Sequence, residues 1–77
     1  MAEDLIVSDP QILGGKPCVR GTRLSVEFLL ELLASGATRG DICEAYPQVS
    51  VDDIEAAILY TARLLRSDAL FEFELPR

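Results

Sequence analysis

Apolar residues recur every three to four positions along two stretches of this chain and alternate with charges in a third. Val26, Leu29, Leu30 and Leu33 form one stripe, with Phe28 and Leu32 beside it. That spacing is the signature of a helix with a buried face. Ser25 stands where a side-chain cap is needed, and Glu27 complements the dipole in the first turn. Gly36 suits the left-handed residue that closes a helix, so the pattern predicts a helix over 26–35. Thr38 and Asp41 have capping-box spacing and open a short second helix, which ends near Tyr46 because Pro47 disfavours helical geometry before it. Ser50 and Asp53 repeat the device. A third helix over 50–67 then carries Ile54, Ala57, Ile58, Thr61 and Leu65 as its core stripe, with Ala56, Leu59, Tyr60 and Leu64 partly outside it.

The chain before residue 26 has a different rhythm. Leu5-Ile6-Val7 is a short apolar run closed by Ser8-Asp9-Pro10, and Gly14, Gly15, Pro17 and Gly21 punctuate the segment from Gln11 to Arg23. A hairpin is expected, pairing Cys18-Val19-Arg20 with Leu5-Ile6-Val7. A two-stranded ribbon is marginal alone, so it must lie on the helices or on another chain. At the other end Phe71-Glu72-Phe73-Glu74-Leu75 alternates with the period of a strand. The expected architecture is one mainly α domain over 1–77: a β-hairpin (5–25), a three-helix, helix-turn-helix-like or homeodomain-like unit (26–66) and a tail (67–77).

Composition narrows the chemistry. The chain has 77 residues, 13 acidic against 7 basic, a net charge of −6 and no histidine. Without histidine the usual general base and commonest metal ligand are missing. Cys18 and Cys43 are too few for a structural zinc or iron–sulfur site and read as free, reduced thiols. No serine has a base to activate it. No enzyme activity, metal or cofactor is therefore expected. The acidic start and the lack of a long apolar run predict a cytoplasmic protein with no membrane association.

Charge is unevenly placed. Residues 1–25 carry three charges of each sign, whereas acids dominate the helices and the tail. Lys16, Arg20 and Arg23 are the local basic excess and the candidate contact for DNA or another anion. Gly14-Gly15-Lys16 is not a phosphate loop, because Pro17 removes a backbone donor and no helix starts there. Arg39-Gly40-Asp41 lies in a helix first turn, where capping explains it. Asp52, Asp53 and Glu55 suit the third helix's dipole and would be costly against DNA, so direct readout by that helix is disfavoured.

The helices are also more apolar than one small core requires. Phe28, Leu32, Leu59, Tyr60, Leu64, Phe71 and Phe73 are the candidate interface residues, either for a homodimer or for another protein.

The run 6–26, with its core Gly15-Lys16-Pro17-Cys18-Val19-Arg20-Gly21-Thr22-Arg23, closely resembles a small bacterial and archaeal family, domain of unknown function 433. Leu33-Ala34-Ser35-Gly36-Ala37-Thr38, Tyr46-Pro47-Gln48-Val49-Ser50, Asp53-Ile54 and Ala56-Ala57-Ile58-Leu59-Tyr60 come after it in order. The resemblance spans about 5–62 and implies a hairpin followed by a helix-turn-helix-like bundle. It further implies an antitoxin-like protein paired with a PIN-like nuclease toxin, though no activity belongs to the family as a whole. Gly15, Gly21, Thr22 and Arg23 carry fold and interface expectations from it. Two functions stand as expectations: a module that binds and inhibits a ribonuclease, and, as the alternative, a DNA-binding regulator. A homodimer of unknown role is the third.

Overall fold

The structure, a computed structural model, describes residues 5–66. The expected tail strand, with Phe71 and Phe73, lies outside the described residues. Two strands come first, β1 (Ile6–Ser8) and β2 (Pro17–Val19), followed by three helices, α1 (Val26–Ala34), α2 (Arg39–Ala45) and α3 (Val51–Arg66).

The hairpin has the expected register. Ile6 pairs with Val19 and Val7 with Cys18, antiparallel, and the Arg20 amide donates to the Leu5 carbonyl at 2.8 Å. Ile6 and Val19 are both buried, so the ribbon turns this pair inward, and it packs on α1 and α3. The loop between the strands has Leu13, Gly14 and Gly15 all at positive φ. Beyond β2 the Thr22 amide closes a turn onto the Val19 carbonyl at 3.0 Å. Gly21 holds the φ of +80° there that a side chain would resist. The Thr22 hydroxyl donates to the same carbonyl and accepts from the Leu24 amide, fixing the approach to α1.

Each helix start is capped as the sequence indicates. The Ser25 hydroxyl accepts from the Phe28 amide at 3.0 Å. Thr38 and Asp41 cap each other's amides, both at 3.0 Å. Ser50 and Asp53 do the same at 2.9 and 3.1 Å. Helix α1 ends in a Schellman arrangement: the Gly36 amide donates to Leu33 and the Ala37 amide to Leu32, with Gly36 at φ +107°.

The core lies where the three helices meet the ribbon. Leu29, Ile42 and Ile54 are its largest fully buried side chains, joined by Val26, Val49, Ala56 and Ala57. Here the expectation from periodicity needs one correction. Leu65, placed in the core stripe of α3, is 46% exposed, and Ala56, placed partly outside it, is buried. Helix α3 has 16 residues against nine in α1, about 24 Å against 14 Å. Its last turn runs past the other described elements, and residues 62–66 are all exposed.

Candidate functional site

Helices α1 and α3 pack together without closing completely. Between them, beside Pro17 of β2, lies an open groove of about 440 Å³. On α1 its wall is the ridge Val26, Leu30 and Ala34, residues four apart that stack along one side of a helix. On α3 it is Tyr60, Thr61 and Leu64. The Thr61 hydroxyl donates to the Ala57 carbonyl at 3.0 Å, so this hydroxyl of the wall is already satisfied.

Its rim is charged. Glu27 and Glu31, one turn apart, stand on the ridge next to the apolar one. The Lys16 ammonium reaches the Glu27 carboxylate at 3.0 Å, with both side chains largely in solvent. That hydrogen bond raises the Lys16 pKa, and the Glu27 charge and the more distant Glu31 add to the effect. Glu31 forms no ion pair among the described residues.

The residues singled out from the sequence separate into three places. Tyr60 and Leu64 line the groove. Phe28 packs edge-to-face on Tyr46, ring centroids 5.7 Å apart, and Leu32 lines a smaller depression with Ala37, Ile42 and Tyr46. Leu59 is half-buried. Of the basic residues, Lys16 is tied to α1, while Arg20 and Arg23 lie at the end of the ribbon, both exposed. Glu27 and Glu31 were missed as site residues. Their signal was present: two like charges at i and i+4 flanking leucines, a spacing that favours neither helix nor core.

The other candidate chemistry is absorbed by the fold. Asp53 caps α3, and Glu55 forms an ion pair with Arg39 that joins α2 to α3. Cys18 is buried, Cys43 is half-buried, and both are free. Among the described residues no group of three or more cysteines and acids could hold a metal ion, and no helix is long and apolar enough to cross a membrane.

Residues 6–61, which hold the ribbon and nearly all of the helical unit, match the model of a family described as "Protein of unknown function (DUF433)". The chain belongs to the DUF433 family. A DUF433 member from Anabaena variabilis has a crystal structure that superposes with a TM-score of 0.77, at 26% identity, over 84% of this chain and 64% of that one. The uncharacterised protein y4eO of Sinorhizobium fredii is 37% identical over 59 residues, 77% of this chain. The chain spans 27% of the length of y4eO. These relatives place the DUF433 fold in prokaryotes, and none of their descriptions states an activity.

Proposed function

We propose that this DUF433 chain is a protein-interaction module, antitoxin-like, that docks a PIN-like ribonuclease through the α1–α3 groove and inhibits it. The observation that carries this reading is the groove itself: an open, largely apolar trough with the Thr61 hydroxyl satisfied and carboxylates on its rim. Such a trough is suited to the apolar face of another chain. The chain's charge of −6 supports the choice of partner, since it would steer the molecule toward a basic, RNA-binding cleft. The nuclease comes from the family resemblance. A homodimer is proposed alongside, because Leu13, Val51 and Leu65 are exposed apolar side chains outside the groove.

The groove reading is preferred to DNA binding for a specific reason. Lys16, one of three cations in the basic excess, is engaged by Glu27, and α3 begins with Asp52 and Asp53 where a recognition helix would meet phosphates. Co-expression with a PIN-like nuclease tests the proposal. The wild-type chain should co-purify with the nuclease and restore growth. Ala34→Trp, which fills the groove from an exposed position, should do neither. Full rescue by Ala34→Trp would overturn the reading.

A further inference from the structure

Resting on the groove reading, we infer that the segment docked between α1 and α3 is a cationic amphipathic helix, with Lys or Arg beside its apolar stripe to meet Glu27 and Glu31. The apolar ridge from Val26 to Ala34 spans eight residue steps of α1, about 12 Å. That length accepts the i, i+3 and i+7 anchors of a helix laid along it. The two rim carboxylates are four residues apart, about 6 Å along the axis, which is the spacing of cations at i and i+4 on a partner helix.

Electrostatics selects the sign of that helix. Like charges at i and i+4 on one helix face repel. Lys16 answers Glu27 and leaves Glu31 without an ion pair among the described residues. A cationic partner gains attraction from both rim carboxylates, whereas an acidic one meets repulsion from them. The same argument disfavours two other occupants. The chain's own tail carries Asp68, Glu72 and Glu74, and a second copy brings another −6.

The test is a selection on the intact protein from a library of 16-residue helices. Each has a fixed leucine stripe and flanking positions randomised between Lys and Glu. Retained peptides should be enriched in Lys at the flanks. A chosen Lys-flanked peptide should lose about fivefold in affinity on Glu27→Gln plus Glu31→Gln, the weight of two exposed ion pairs. It should lose binding on Leu64→Asp, a change at a side chain that is 56% exposed. Retention without preference for Lys overturns the charge inference and leaves the groove standing. Lys enrichment that survives Leu64→Asp overturns it as well, placing the cations elsewhere on the acidic surface. No peptide retained beyond the Leu64→Asp background overturns the groove reading with it.

Discussion

The Lys16 ammonium lies 3.0 Å from the Glu27 carboxylate, tying the start of the ribbon's second strand to the first turn of α1 at the edge of the groove. This places a cation of the chain itself where the cation of a partner is proposed to sit. Both side chains are largely exposed, so the contact is weak as a stabiliser and easily exchanged.

Lys16→Gln is therefore expected to leave the melting temperature nearly unchanged. It should tighten binding of a Lys-flanked leucine-stripe helix, because Glu27 no longer has an internal partner. Calorimetric titration checks this. Weaker binding would make Lys16 a contact for the partner and not a competitor.

The mutual caps predict local losses of similar size. Thr38→Ala and Ser50→Ala each remove an acceptor for a helix amide, at about 1 kcal/mol. In a domain this small that lowers the melting temperature by about 4–8 °C. Thermal unfolding followed by circular dichroism measures it.

Asp41 also makes stability depend on pH. The Thr38 amide, and then the Thr38 hydroxyl, hold its carboxyl below the ordinary aspartate range. A depressed folded-state pKa means the stabilisation is fully present above the unfolded value, about 4, and is lost as pH falls through the folded value. Asp41→Asn should flatten this part of the acid limb of a stability–pH curve and leave stability near neutrality lower.

Core and groove separate cleanly by mutation. Leu29 is fully buried, and Leu29→Ala should cost about 2–5 kcal/mol, enough to unfold much of a marginal small domain. Leu64→Ala, at the exposed end of the groove, should stay within about 0.5 kcal/mol of wild type while weakening partner binding. Urea denaturation of both variants decides the first half, and titration the second.

Much of this fold was legible because its signals are local. Ser25, Thr38–Asp41 and Ser50–Asp53 mark helix starts through amides only three residues away. The two short apolar runs, with the turn residues between them, were enough to set Ile6 against Val19. What escaped was tertiary. Periodicity assigned Leu65 to the face of Ile54, Ala57, Ile58 and Thr61, and nothing in that periodicity says that the other described elements stop short of the last turn of α3. The groove was half visible. Tyr60 and Leu64 stood out as surplus apolar residues, but Glu27 read as a dipole partner and Leu30 as core. Only the packing of α1 on α3 brings those four residues around one trough. Phe28, read as surplus, is instead packed against Tyr46, eighteen positions along the chain.

A homodimer is expected from the apolar side chains left outside the groove. Sedimentation equilibrium at micromolar concentration should give about twice the chain mass of 8.4 kDa. A single-chain mass would remove the dimer without touching the groove.

The most direct measurement is a nitrogen–proton correlation spectrum of the isotopically labelled chain, titrated with the Lys-flanked leucine-stripe helix. Amides of Glu27, Leu30, Glu31, Tyr60 and Leu64 should shift together, with a common affinity, while those of α2 stay in place. Shifts confined to Arg20, Thr22 and Arg23 at the end of the ribbon would contradict docking in the groove and return the basic hairpin as the contact surface.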